Sequence, residues 1–356
     1  GPKPAASAPI AAQPAQTAFP ERPVRRSHAG TWIALILLLF GGLGILMVGG
    51  IALVAVASIA GGTGEPRVHE EYFSHNRSGS RKVAILTIDG VIMDEVDGFA
   101  KRQIERVIKD EDVAAVVLRV NSPGGTISGS DYLHHHLRKM VEERKIPIVV
   151  SMGGIAASGG YYVSMAVGDT PDSIFAEPST FTGSIGVIIP HYDLSEMLNH
   201  WGVEYDAVAS GKFKSMGNLA KPMTEEEREL FQQIVDEGFE QFKKVIRSGR
   251  PVFEEDPEEL DALATGQIFT AEQAVKNGLV DRIGFIESAV ERAIELASLN
   301  PANVQVVRYK PDPTLTDLLM GGKSQAQTID MHAILELATP RAYYLTTWLP
   351  PVCSRP

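Results

Sequence analysis

Between Ile148 and Ala166 the chain must turn from a strand directly into a helix. Pro147 precedes the β-branched run Ile148–Val150, and a strand start tolerates it because no ladder hydrogen bond is yet required of its nitrogen. Two glycines and a small-residue turn lead to Ser158, after which Tyr162, Met165 and Ala166 fall on one side of a helix. A serine at such a junction lies where free N–H groups and the helix dipole favour a developing negative charge. The small residues around it let a peptide backbone come close. The same pattern also describes a tight turn with an N-capping serine, so Ser158 takes its meaning from other stretches.

Two of these matter. Upstream, the buried-strand pattern Val116-Val117-Leu118-Arg119-Val120 stops at Asn121-Ser122-Pro123-Gly124-Gly125, a turn whose glycines can direct backbone N–H groups outward, as an oxyanion hole requires. Downstream, Phe181-Thr182-Gly183-Ser184-Ile185-Gly186-Val187-Ile188 leads on to Ala209-Ser210-Gly211-Lys212-Phe213-Lys214. A nucleophile, an oxyanion donor, a lysine base and a second serine to hold the base would make a Ser-Lys hydrolase. None of the nine histidines falls in these stretches, which weighs against a Ser-His-Asp triad; His191, beside Tyr192, comes nearest. A lysine base must be neutral, so its ordinary pKa near 10.4 has to fall by about 2–4. Lys212 and Lys214 point to the same face of an extended segment, and spacing alone leaves both open.

Asn-Ser-Pro-Gly-Gly at 121–125, Ala-Ala-Ser-Gly-Gly-Tyr-Tyr at 156–162, Thr-Gly-Ser-Ile-Gly-Val at 182–187 and Ser-Gly-Lys-Phe-Lys at 210–214 together resemble the bacterial signal peptide peptidase A family. The resemblance covers about residues 82–290 and is to the short, single-domain members. It implies an α/β, ClpP/crotonase-like fold of layered strand and helix repeats, and a membrane-anchored serine protease with a Ser/Lys dyad. It assigns Ser158 as nucleophile, Lys214 as base and Ser184 as the serine that holds the base. The backbone N–H groups of Gly125 and Gly159 become the oxyanion donors. It implies no cofactor and no metal, peptide substrates that are remnant signal peptides, and a homo-oligomeric ring in which neighbours complete each other's sites. The loop Val167–Asp172 departs from the family pattern by a few extra residues, which bears on substrate preference more than on mechanism.

The rest of the chain frames this domain. Residues 1–30, rich in Pro, Ala and Gln, have no hydrophobic period and are expected to be a disordered cytoplasmic segment. Within 31–60, no charge interrupts Trp32 to Ala60; that length suits a transmembrane helix, which needs about 20 apolar residues, better than a signal peptide ending at Ala55-Val56-Ala57. Arg22, Arg25 and Arg26 before the run, and Glu65, Glu70 and Glu71 after it, place the N-terminus in the cytoplasm and the catalytic domain outside the cytoplasmic (inner) membrane. Residues 61–81 read as a polar linker, 82–300 as the protease domain and 301–356 as a C-terminal extension and tail. The net charge of −11, without a basic patch, argues against nucleic acid as a partner. Cys353 is the single cysteine, which excludes an intramolecular disulfide.

Inside the domain, apolar strands alternate with amphipathic helices, which implies parallel pairing. Asp193 with Glu196, Thr224 with Glu227, and Thr270 with Gln273 have capping-box spacing. The helix after Thr224 carries an apolar stripe broad enough for its own subunit and a neighbour. His134-His135-His136 point in different directions around a helix, which predicts a solvated face and not a metal site. Tyr343, Tyr344, Leu345, Trp348 and Leu349 form an apolar stretch that either docks on a neighbour, the preferred expectation, or lies in a substrate groove. Two other functions share the sequence features: a crotonase-type acyl-CoA enzyme and a non-catalytic membrane-anchored scaffold.

Overall fold

The computed structural model describes residues 68–94, 96–311 and 342–345. The expected N-terminal segment and membrane anchor, the helical pieces expected near 315–320 and 329–337, and Trp348, Leu349 and Cys353 lie outside the described residues. Among the described residues no helix is long and apolar enough to cross a membrane.

A nine-stranded, mostly parallel sheet organises the described part of the chain. Its strands are β1 (Val68–His75), β2 (Arg81–Asp89), β3 (Val113–Ser122), β5 (Ile148–Ala157), β6 (Ile174–Ala176), β7 (Phe181–Gly183), β8 (Ile268–Thr270), β9 (Arg282–Ile283) and β10 (Val304–Pro311). The order β1-β10-β2-β3-β5-β6-β9 is antiparallel only at β1/β10, while β7 joins β5 in parallel and pairs β8 antiparallel. β1 and β10 complete the sheet, so residues 68–75, read from sequence as linker, and 304–311, read as extension, are integral to the domain. β4 (Gly124–Thr126) pairs instead with β11 (Tyr343–Leu345).

The strands read as near-continuous apolar runs because both faces are covered. Val83, Ile85, Ala115, Val117 and Val149 face one layer, which α9 (Ile286–Leu296) closes with Ala289, Val290, Ala293 and Ile294. Ala84, Leu86, Val116, Leu118 and Val150 face the other, together with Leu133, Leu137 and Met140 of α2 (Ile127–Arg144) and Phe242 of α5 (Glu225–Gly249). This mixed α/β layering fits the expected ClpP/crotonase-like class.

Local signals set the helix ends. Thr224 accepts from the Glu227 N–H while the Glu227 side chain accepts from the Thr224 N–H, a complete capping box that starts α5. Thr270 and Gln273 do the same for α8 (Ala271–Lys276). The capping box expected at Asp193 and Glu196 does not form: α4 (Ser195–His200) has Leu194 at its N-cap, one residue later than expected, and Asp193 accepts from the N–H and hydroxyl of Ser195.

Candidate active site

β5 carries the site because it changes partners along its length. Val150–Met152 pair with β6, and Ile155–Ala157 pair with β7, with Gly153 and Gly154 at the divergence. The second half of the strand therefore leaves the plane of the first and delivers Ser158 at the start of α3 (Gly159–Ser164). Ser158 has φ 54° and ψ −117°, a backbone region that a residue with a Cβ holds only under strain of about 1–3 kcal/mol. Its N–H donates to the Gly183 carbonyl at 2.8 Å and its carbonyl accepts from the Tyr162 N–H at 2.9 Å, so both neighbouring elements hold the strained turn. The side chain is buried, 1% exposed, and Oγ has no hydrogen-bond partner among the described residues. A buried hydroxyl without a partner forfeits about 1–3 kcal/mol, a cost expected where the group is kept free for chemistry.

Gly124 and Gly125 sit against this serine. Gly124 has φ +103°, and a Cβ on it would lie 2.7 Å from the Gly159 backbone nitrogen and 2.0 Å from the carbonyl oxygen of Tyr344. A Cβ on Gly125 would lie 1.7 Å from the Ile92 carbonyl oxygen, because Gly125 is bridged on that side to Ile92. Glycine is thus demanded here by close backbone packing. The turn brings Gly125 and Gly159 to the same corner: a Cβ on Gly159 would lie 3.1 Å from the Gly125 nitrogen.

Ser184 follows the residue that receives the Ser158 N–H. It is 7% exposed with φ 51°, and its own N–H donates to the Gln267 carbonyl at 2.7 Å. Ser158, Ser184, Gly125 and Gly159 are therefore gathered at one end of β5 and β7. Lys214 is not gathered with them. It lies in a turn whose backbone closes from its N–H to the Gly211 carbonyl at 3.1 Å, it is exposed, and it makes no bond to Ser158 Oγ within the chain. Lys212, the rival base, pairs with Glu226 and lies over the Phe213 ring. The stretch 201–214 is exposed throughout, with Trp201 at 69% and Val208 fully open.

A buried aromatic cluster on the helix that follows Ser158 escaped the sequence reading. Tyr162 is buried, and its hydroxyl donates to Asp131 at 2.7 Å; burial, reinforced by that carboxylate, pushes the phenol far above its ordinary range. Its ring lies 5.3 Å from that of Phe242. His134 does not face solvent as the histidine run suggested. Its ring meets Tyr162 edge-on at 5.4 Å, Nε2 has no hydrogen-bond partner among the described residues, and burial pushes its pKa down to about 4. The usable signal was the placement of Tyr162 directly behind Ser158 and of Phe242 on the apolar stripe of α5.

The comparisons with known proteins give the family. The sequence model described as peptidase family S49 matches residues 141–300. A Synechocystis protein named as a protease is 34% identical over 71% of this chain and 87% of its own length. An Enterococcus faecium protein named for signal peptide peptidase SppA is 35% identical over 70% of this chain and 73% of its own. Protease 4 of Salmonella typhi is 35% identical over 67% of this chain but only 38% of its own length.

Proposed function

This chain belongs to peptidase family S49 and is a serine protease; from that premise we propose that Ser158 is its nucleophile and Lys214, supplied by a neighbouring copy, its base. Membership in a protease family removes the acyl-CoA and scaffold readings. The observation that carries the proposal is Ser158 itself: buried, strained, free at Oγ, and beside two glycine N–H groups.

The reaction follows from those groups. Ser158 Oγ adds to the carbonyl carbon of the bond to be cut while its proton passes to the neutral amine of Lys214. The oxyanion takes hydrogen bonds from the Gly125 and Gly159 N–H groups, donors that need no reorganisation. The Lys214 ammonium returns the proton to the leaving amine, and the acyl-serine remains. Water then attacks the ester, giving its proton to Lys214, and the Lys214 ammonium returns that proton to Ser158 Oγ as the ester C–O bond breaks and the acid product leaves. Ser184 orients the lysine through its hydroxyl.

A neighbour is required because the lysine stands outside its own chain's pocket. Exposed Trp201, Val203, Tyr205, Val208 and Phe213 lie along the arm that leads to it, an apolar surface suited to burial against another copy. A head-to-tail contact that closes into a ring would repeat the same site at every subunit. The uncharged run Trp32–Ala60 anchors this assembly in the cytoplasmic membrane with the protease domain on the outer face, and the substrates are remnant signal peptides and similar apolar peptides. A fluorophosphonate probe applied to the full chain in detergent tests the nucleophile: the wild-type chain is labelled and Ser158→Ala is not. Equal labelling of both would remove Ser158 from the reaction.

A further inference from the structure

The turn that carries Gly124 and Gly125 is held from behind by the segment Ile92–Asp94. The Ile92 N–H donates to the Gly124 carbonyl at 2.9 Å, and the Ile92 carbonyl accepts from the Thr126 N–H at 2.9 Å. Both neighbours of Gly125 thus bond on that edge of β4, and Gly125 turns its own N–H to the opposite edge. There its nitrogen is an atom that a Cβ on Gly159 would approach to 3.1 Å.

Asp94 closes this arrangement. Its Oδ1 accepts from the Thr126 hydroxyl at 2.7 Å and from the Ser128 hydroxyl at 2.5 Å. Thr126 is buried and is the N-cap of α2; with its proton committed to Asp94, its Oγ1 accepts from the Gly129 N–H at 3.1 Å. The Thr126 carbonyl in turn accepts from Ser130 Oγ at 2.9 Å. Ser130 is fully buried, and a Cβ on Gly159 would lie only 2.4 Å from that Oγ. A chain of hydroxyls therefore runs from one carboxylate to the backs of both glycines. Bonds in such chains reinforce one another away from water, and an ionised acceptor anchors them more firmly than a neutral one. A negative charge cannot stabilise a developing oxyanion, so what Asp94 contributes is position; its charge is answered by the N-terminus of α2.

We propose that Asp94 is a positioning residue of the oxyanion site, fixing the Gly125 and Gly159 N–H groups through Thr126 and Ser130. The proposal rests on Ser158 as nucleophile with those two glycines as donors. Donors that are slightly displaced lose their hold on the transition state while the ground-state peptide is bound as before.

The test compares acetyl-Leu-Leu-leucinal with the corresponding alcohol, acetyl-Leu-Leu-leucinol, as inhibitors of the full chain in detergent. Ser158 Oγ adds to the aldehyde carbon, its proton passes to Lys214, and the aldehyde oxygen becomes an oxyanion; the alcohol binds without forming a bond. The ratio of the two inhibition constants therefore reads the oxyanion site apart from peptide binding. Asp94→Ala should lower kcat on a peptide ester by about 10–10²-fold, less than outright loss of a donor, with KM within about twofold. The aldehyde's advantage over the alcohol should fall by the same factor. Asp94→Asn, which keeps an oxygen for both hydroxyls, should stay within about threefold of wild type. Thr126→Val should match Asp94→Ala, Thr126→Ser should restore the wild-type values, and Asp94→Ala with Thr126→Val should lose no more than either alone. Asp94 is exposed, so its variants should fold, as circular dichroism checks. Unchanged kcat and aldehyde advantage in Asp94→Ala would overturn the proposal. So would kcat and KM that worsen together at an unchanged advantage, the mark of a merely structural role, or an Asp94→Asn as impaired as Asp94→Ala. An aldehyde advantage that persists in Ser158→Ala would remove the nucleophile. One that vanishes there yet is undiminished in Asp94→Ala would keep the nucleophile and overturn only the role of Asp94.

Discussion

Ser158 and Lys214 occupy opposite kinds of ground. The serine is fixed by a strained turn whose backbone bonds reach Gly183 and Tyr162, and it is walled by residues with almost no exposure. The lysine rides on an exposed arm with open apolar side chains. A catalytic base must stand within about 2.6–3.2 Å of its nucleophile, so a rigid half facing an uncovered half calls for a partner surface. The comparison teaches that the ground around Ser158 is pre-organised while that around Lys214 is not, which is why the proposed dyad has the base brought by assembly.

The largest effects should come from the rigid half. Ser158→Ala should lower kcat/KM on a peptide ester by about 10⁴–10⁶-fold while leaving the circular dichroism spectrum unchanged. Lys214→Ala should match it, and Lys212→Ala, whose side chain pairs with Glu226, should keep most of the activity. The reverse result for the two lysines would assign the base to Lys212. Next comes Gly124→Ala, which puts a methyl group where the Tyr344 carbonyl oxygen now lies, beside the Gly159 nitrogen. Steady-state kinetics should show a loss of about 10²–10³-fold in kcat, the size expected when an oxyanion site is spoiled.

The exposed arm should respond differently. Trp201→Glu changes a residue that is 69% exposed in the isolated chain, so the fold should survive. If the arm is an interface, a buried aromatic anchor is worth about 2 kcal/mol or more, or about thirtyfold in association. Sedimentation velocity in detergent should show smaller species, with activity falling in parallel. A variant that loses neither would show that the arm faces solvent in the working protein.

The smallest effect concerns His134, half-buried against Tyr162. Its pKa is pushed down to about 4 in the folded chain, so between the ordinary value near 6.5 and about 4 the unfolded chain binds the extra proton. Its contribution is complete above about pH 6.5 and is lost as pH falls towards 4, on the order of 3 kcal/mol at the low end. His134→Gln should flatten the fall of the melting midpoint over that window; a curve parallel to wild type would mean that the imidazole is not held neutral.

Much of the sheet was legible because its strands are buried on both faces and their apolar runs end at glycine turns, as Val113–Ser122 does before Gly124 and Gly125. Capping pairs such as Thr224 with Glu227 fixed helix starts for the same local reason. β1 was missed because an edge strand, half-buried and carrying Glu70 and Glu71, lacks an apolar run and gains its place only by pairing with β10, more than two hundred residues away. At the site, the gathering of Ser158, Ser184, Gly125 and Gly159 followed from motif order. The position of Tyr344 did not, because a tail that finds its partner strand across the fold leaves no periodic trace of that partner. Its apolar residues suggested docking on a neighbour, whereas Tyr344 is buried against Tyr162 and Phe242 of its own chain.

The account stands most directly on whether the two halves of the dyad meet between chains. Full-length Ser158→Ala and Lys214→Ala chains, each inactive alone and carrying different affinity tags, can be co-expressed and purified through both tags in turn, so that every recovered assembly contains both. A site shared between neighbours predicts that these mixed assemblies recover a sizeable fraction of wild-type peptidase activity, since some interfaces join an intact serine to an intact lysine. Doubly purified assemblies that stay as inactive as either parent would contradict the account and place the dyad within one chain.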